Sequence, residues 1–198
     1  MSRATFYFDL GSPYAYLAAA RIDVVIGEPV DWQPISLGAL FKLAGRSSWS
    51  LGDLQRRENG MAEVERRARA YGLPPLCWPE PWPGNYLMAM RAATYAQRVG
   101  RLREFAERAF RCGFQQGRDL SLAASVLAAA SDAGLDPHAV ELAVADPEIK
   151  LALREATDEA HRLGVCGVPT LAVDGELFWG DDRLEEAAER LGGTGLQG

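Results

Sequence analysis

Three short segments of this 198-residue chain put reactive or polar side chains where chemistry could be done. The first is Asp9-Leu10-Gly11-Ser12-Pro13-Tyr14-Ala15-Tyr16. Ser12 follows a strand-like run and opens a helix, since serine caps well and proline suits the first turn. Backbone N–H groups at such a start carry the positive end of the dipole, which stabilises an anion. A serine hydroxyl there can also donate a hydrogen bond to a thiolate, or it can serve only as the cap. Dithiol exchange is excluded, because Ser12 and Ala15 stand where that chemistry needs two cysteines.

The second segment is Gly164-Val165-Cys166-Gly167-Val168-Pro169-Thr170. A trans Pro169 would merely start a strand at its edge, and trans is the commoner isomer. A cis Pro169 would leave the Val168 N–H and C=O free to pair with an extended, peptide-like ligand. Cys166 reads as a small buried hydrophobe rather than a nucleophile.

Trp179-Gly180-Asp181-Asp182-Arg183 is the third. Glycine followed by acids at a helix start is ordinary capping. It is also a place for a cationic amine, with the helix N–H groups holding a neighbouring carboxylate, and an α-amino-acid end has that pair of charges.

These segments need elements to hold them. Thr5 to Phe8 is β-branched and aromatic and reads as a strand. Ser12-Pro13 starts a helix whose apolar residues run to Val25-Ile26, and Gly27 ends it. Val30 to Ile35 is a second strand, with Trp32 alternating against Asp31 and Gln33. From Leu40 to about Ala160 no stretch is strand-like. Helices are expected over Leu54 to Tyr71, Asn85 to Val99, Leu102 to Phe114, Leu122 to Ala133, Pro137 to Val144 and Glu148 to Leu163. A loop rich in Pro and Trp joins the first two, with Trp78, Trp82 and Pro83 in it. Strands return at Thr170 to Val173 and Glu176 to Trp179, joined by the two-residue turn Asp174-Gly175. A helix over Asp181 to Leu191 closes the chain, with acids in its first turn. Periodicity therefore gives an α/β chain with an all-helical insertion and a mixed sheet.

The net charge of −6 makes nucleic acid an improbable partner. Arg56-Arg57 and Arg66-Arg67 are neutralised by Glu58, Glu63 and Glu65 and read as a solvated helix face. No segment approaches the ~18 apolar residues of a membrane span. The start of the chain lacks a signal-peptide pattern, so a cytoplasmic protein is expected. The three cysteines, Cys77, Cys112 and Cys166, form no C-x-x-C pair and are expected as free thiols. With only His138 and His161 beside them, no metal site is expected.

Taken together, the segments resemble a known family. Ser-Pro-Tyr at Ser12, Trp-x-Pro-x-x-Leu-Gly-Ala-Leu-Phe-Lys-x-x-Gly at Trp32 to Gly45, Gly-Val-Pro-Thr, and Phe-Trp-Gly-x-Asp-Arg-Leu at Phe178 to Leu184 carry the likeness. They are similar to 2-hydroxychromene-2-carboxylate isomerase and the kappa-class glutathione transferase, on the DsbA-like branch of the thioredoxin fold. The resemblance implies a thioredoxin-like domain split into 1–38 and 164–198, around a helical insertion domain at 39–163.

It also implies glutathione as cofactor. Ser12 would hold its thiolate, and Val168, before a cis Pro169, would pair with the cysteinyl backbone. Gly180, Asp181 and Asp182 would take the γ-glutamyl end. Asn85, in Pro83 to Asn85, and Tyr14 would face a small aromatic or electrophilic substrate. Arg46 stands where the family often has an asparagine that helps hold glutathione, and an arginine there could contact the glycyl carboxylate.

The implied reaction is a cis–trans isomerisation, in which a thiolate adds reversibly to a conjugated double bond of an aromatic-degradation intermediate. A transferase that leaves the thiolate attached, or a non-catalytic binding protein on the same scaffold, are the alternatives. A homodimer is expected from the resemblance and from exposed-looking Trp78, Trp82, Met88 and Met90.

Overall fold

In the computed structural model, residues 4–193 are described. Residues 1–3 and 194–198, at the two ends of the expected split domain, lie outside them. β1 (Ala4–Phe8) lies at the middle of the sheet. It runs parallel to β2 (Asp31–Pro34) and antiparallel to β3 (Thr170–Val173), which pairs antiparallel with β4 (Glu176–Trp179). The order β2-β1-β3-β4 is the expected mixed sheet of a thioredoxin fold.

Alternation along β1 builds both cores. Phe6 and Phe8 point to the larger one, against Trp32, with ring centroids 4.9 and 5.5 Å away. Tyr7 points the other way and packs with Ile35, Leu40, Ala160 and Val165.

Between β1 and β2 the expected single helix is two: α1 (Pro13–Ala19) and α2 (Ile22–Ile26). The break falls at Ala20 and Arg21, where the Arg21 N–H reaches back only three residues, to the Ala18 carbonyl, and the guanidinium turns to distant partners. It donates to the Asp181 carbonyl, pairs with Glu185 and lies over the Tyr71 ring. Gly27 ends α2 at φ 68°, a left-handed conformation that favours glycine.

After β2 comes α3 (Leu37–Leu43), which the sequence reading left without an element. Ser36 caps it, accepting from the Ala39 N–H. The expected boundary at residue 39 falls inside this helix. Trp49–Leu51 forms a 3₁₀ turn. The helical stretch continues as α4 (Leu54–Ala70), α5 (Leu87–Arg98), α6 (Leu102–Phe114), α7 (Ala123–Asp132), α8 (Pro137–Ala145) and α9 (Pro147–Arg162). All six were expected, with ends shifted by up to two residues. β4 leads into a 3₁₀ turn at Asp181–Arg183 and then α10 (Leu184–Gly193), where one helix was expected.

The Trp and Met side chains expected to be exposed are not. Trp82 and Met90 are buried, and Trp78 and Met88 pack against the larger core. Trp78 and Trp82 satisfy each other's apolar faces, 4.7 Å between centroids. No helix among the described residues is long and apolar enough to cross a membrane.

Candidate functional site

A cavity of about 650 Å³ opens where the start of α1, α3, the Trp/Pro loop and the β3–β4 end of the sheet meet. Ser12, Tyr14, Asn85, Val168, Pro169, Gly180, Asp181 and Asp182 all line it. The fold thus gathers onto one cavity residues that are up to 170 positions apart in sequence.

Ser12 is buried at the start of α1, and its Oγ accepts from the Ala15 N–H at 3.2 Å. Ser12 thus caps α1. The same hydroxyl also faces the Val168 carbonyl, at 3.5 Å. The Val168–Pro169 bond is cis, as expected from the resemblance, as are Glu80–Pro81 and Trp82–Pro83. The Pro169 carbonyl accepts from the Gly180 N–H at 3.0 Å, which ties the second segment to the third. The Val168 N–H has no hydrogen-bond partner among the described residues. Gly167 is pressed against the Trp179 indole, where a Cβ would come within 2.6 Å of the ring nitrogen. Gly180 has φ 126°, a conformation that side-chain-bearing residues rarely adopt.

The two acids of the third segment differ. Asp181 is 1% exposed and already partnered. It accepts from Arg67 Nη1 and from the Tyr71 hydroxyl, both at 2.9 Å. Burial pushes its carboxyl up, against the pull of Arg67 and Tyr71. The Asp182 side chain is half-exposed, with Oδ2 3.0 Å from the same Arg67 nitrogen.

Arg67 was read as part of a solvated face. Its neighbours Glu63 and Arg66 do pair there, but Arg67 turns inward from α4 to the cavity. Burial works against its charge, yet Glu63, Asp181 and Asp182 outweigh burial and hold it firmly protonated. Burial, then the charge of Asp181 and the hydrogen bond to it, push the Tyr71 phenol up to about 12.

Aromatic rings form the apolar wall. Tyr14 meets Trp49 edge-on at 6.1 Å, and Trp49 meets Trp82 at 5.3 Å. Gly60 of α4 is needed under Trp49, because a Cβ would enter its ring. Burial raises the Tyr14 phenol above its ordinary value, with Arg67 opposing. Asn85 is exposed at the rim, and its side-chain oxygen accepts from the Leu87 N–H at 3.1 Å, at the start of α5. Tyr86 covers Gly11 so closely that a Cβ there would enter the phenol ring.

Arg46 is not among the lining residues. It is exposed, donates to the Cys166 carbonyl at 3.4 Å and lies 4.9 Å from the Trp179 ring. Lys42 of α3 does line the cavity and has no ion-pair partner among the described residues.

Asp9, Lys42, Trp49, Arg67 and Tyr86 were not singled out from sequence. One local signal was available: Asp9 is a lone acid closing an otherwise apolar strand, three residues before Ser12. Arg67 could not be told from its charged neighbours without the long-range partner Asp181. The cysteines are all free, and no cluster of metal-ligating side chains occurs among the described residues.

A family model described as DSBA-like thioredoxin domain matches residues 4–192. The chain is 30% identical to 2-hydroxychromene-2-carboxylate isomerase of Sphingobium xenophagum over 184 residues, 91% of this chain and 93% of that protein. It superposes on a solved structure of a 2-hydroxychromene-2-carboxylate isomerase with TM-score 0.86 and 25% identity, covering 98% of this chain and 96% of the other. A shorter match, 36% over 86 residues, links 40% of this chain to 38% of human glutathione S-transferase kappa 1. With a family-wide match from β1 to α10 and the Ser12–Val168 cavity in place, the chain belongs to the DsbA-like thioredoxin family and, within it, to the enzyme family of 2-hydroxychromene-2-carboxylate isomerase.

Proposed function

We propose that this protein is a glutathione-dependent isomerase of the 2-hydroxychromene-2-carboxylate isomerase type, acting on a conjugated double bond of an aromatic-degradation intermediate. The observation that carries the reading is the meeting of the Ser12 hydroxyl and the Val168 main chain beside cis-Pro169, on the wall of an aromatic cavity.

The donor set suits the tripeptide. The unpartnered Val168 N–H and its carbonyl match an extended peptide backbone. Asp182, half-exposed and paired with Arg67 through Oδ2, has its second carboxylate oxygen to offer an ammonium, while Asp181, held by Arg67 and Tyr71, keeps the turn in place. The Arg67 guanidinium beside them suits the neighbouring carboxylate. Lys42, unpaired and in the lining, suits the glycyl carboxylate better than Arg46, which is engaged at the rim.

When bound, glutathione supplies a thiolate that can add to a conjugated double bond, allow rotation and leave again. The chain's own part is to keep that sulfur ionised near pH 7. A free thiol has a pKa of about 8.5, and each unit of lowering is worth about 1.4 kcal/mol. The Ser12 hydroxyl gives one hydrogen bond to the charged form. Tyr14, Trp49 and Trp82 stack on a flat substrate and keep water from it, and the amide of Asn85 offers a donor at the rim.

A transferase reading draws on the match to glutathione S-transferase kappa 1. The setting we propose is cytoplasmic, where thiols such as Cys77, Cys112 and Cys166 stay reduced. The test is glutathione titration by calorimetry, then parallel isomerisation and conjugation assays. Saturable binding with isomerisation but no adduct release supports the proposal. No binding at millimolar glutathione overturns it in favour of a silent scaffold, and net conjugation moves it to the transferase.

A further inference from the structure

Asp9 follows β1 directly and carries a carboxyl group into the interior, where it is only 6% exposed. Both oxygens are used. Oδ1 accepts from the Gly11 N–H and Oδ2 from the Leu37 N–H, each at 2.8 Å. Gly11 belongs to the turn that presents Ser12, and the Asp9 carbonyl accepts from the Ser12 N–H at 3.0 Å. Leu37 is the first residue of α3, where an N–H has no partner within the helix. The same helix carries Lys42, and both segments line the cavity.

Burying a carboxylate with no cation against it costs stability, and two backbone N–H groups offset only part of that cost. Burial pushes Asp9 up to about 6, against the Leu37 and Gly11 N–H groups. At neutral pH the group is therefore ionised at a net cost to the fold. Tyr86, whose ring covers Gly11, is the titratable neighbour that feels this charge, and burial keeps its phenol neutral, up to about 12. Lys42, Arg67, Asp181 and Asp182 also face the cavity, but what sets Asp9 is burial and then its two N–H donors. A charge that weakens the fold and holds two walls of a site is what a trade of stability for function leaves behind.

We propose that Asp9 is a positioning residue: its carboxylate, one oxygen on each backbone N–H, sets the spacing between the Ser12 turn and α3, and ligand binding across that gap needs both acceptors. The functional half of this inference rests on reading the cavity as a glutathione site.

The test uses the full chain. Without ligand, the amide proton shifts of Gly11 and Leu37 are followed by NMR from pH 4.5 to 8. They are expected to move together with a midpoint near 6 in the natural protein and to stay still in Asp9→Asn. Affinity is then measured by calorimetry with S-methylglutathione, which has no thiol to ionise. It is expected to fall about tenfold in Asp9→Asn at pH 7.5, the worth of one lost hydrogen bond to a charged group. The natural protein should lose affinity similarly between pH 7.5 and 5, and the variant should lose less over the same range. Two amides that fail to titrate together overturn the proposal without any need for a folded variant. So does unchanged affinity in Asp9→Asn. If the natural protein binds neither glutathione nor its S-methyl form, the glutathione reading fails, and the amide titration still decides whether Asp9 couples the walls.

Discussion

The Ser12 hydroxyl oxygen lies 3.5 Å from the Val168 carbonyl oxygen, bringing the first helix start onto the residue before cis-Pro169. At that length the hydroxyl is weakly engaged, so its hydrogen is available to a stronger acceptor such as a sulfur anion. Ser12→Ala is expected to raise the pKa of bound glutathione by about one unit, the worth of one hydrogen bond to a charged group. The ultraviolet absorbance of the thiolate would then titrate at higher pH. Stability should fall by only ~1 kcal/mol, because the Ala15 N–H loses its cap. If stability falls and the thiol pKa stays, Ser12 is a cap alone.

Asp181 and Asp182 should separate cleanly. Asp182 is half-exposed and shares Arg67 with its neighbour, so Asp182→Ala should change unfolding free energy by less than ~1 kcal/mol. Its effect is expected on glutathione binding, roughly 1–3 kcal/mol by calorimetry, as for a charge-assisted hydrogen bond. Arg67→Ala instead leaves buried Asp181 with Tyr71 as its remaining side-chain partner. That should cost roughly 2 kcal/mol in urea unfolding, less than for a fully buried pair because Arg67 is itself partly exposed. Equal effects of both variants on stability would contradict this division of roles.

A homodimer remains the expected assembly from the family resemblance. The residues first suspected of lying in its interface, Trp82 and Met90, are buried within the chain. Leu51 and Leu54, 72% and 61% exposed, are apolar residues left on the surface beside the cavity segments. Light scattering at micromolar concentration should give twice the chain mass of 21.6 kDa. A value near one chain mass would count against pairing.

The strands and the long helices were legible because their signals are local. The β-branched and aromatic run from Thr5 to Phe8, and the turn Asp174-Gly175, define strands without reference to anything distant. The three segments around Ser12, Val168 and Asp181 were also visible, as helix starts and a proline before a strand. What failed depended on partners far along the chain. The first helix breaks at Arg21, whose side chain meets Asp181, Tyr71 and Glu185, none of them near it in sequence. Arg67 looks like any arginine of a charged helix until Asp181 is placed beside it. The seven-residue α3, with Gly38 in its first turn, is too short to stand on its own, and its first N–H is satisfied by Asp9, 28 residues earlier. Arg46 departs from the asparagine of its family position, and the Cys166 carbonyl and the Trp179 ring hold it at the rim.

Asp9 should also leave a mark on stability against pH. Its pKa rises from 3.8 in the unfolded chain to about 6 in the fold. Because the folded value is higher, the fold binds the proton more tightly. The stability this gives is present in full below about 3.8 and is lost as pH rises through about 6. Between these two values the whole effect is about 3 kcal/mol, of which about 1 kcal/mol falls between pH 5 and pH 7. Glu63, held down to about 2 by Arg66 and then Arg67, acts in the opposite sense, but its stabilisation is lost only as pH falls well below 5. Asp181, raised by burial, pulls the same way as Asp9, so the readout is a difference between two proteins rather than one curve. Urea unfolding at fixed protein concentration should show the natural protein weakening from pH 5 to 7 and Asp9→Asn weakening less. Their stability difference should shift toward the variant by about 1 kcal/mol over that range. Parallel curves would mean that Asp9 titrates alike in the folded and unfolded chain, and that its burial carries no electrostatic cost.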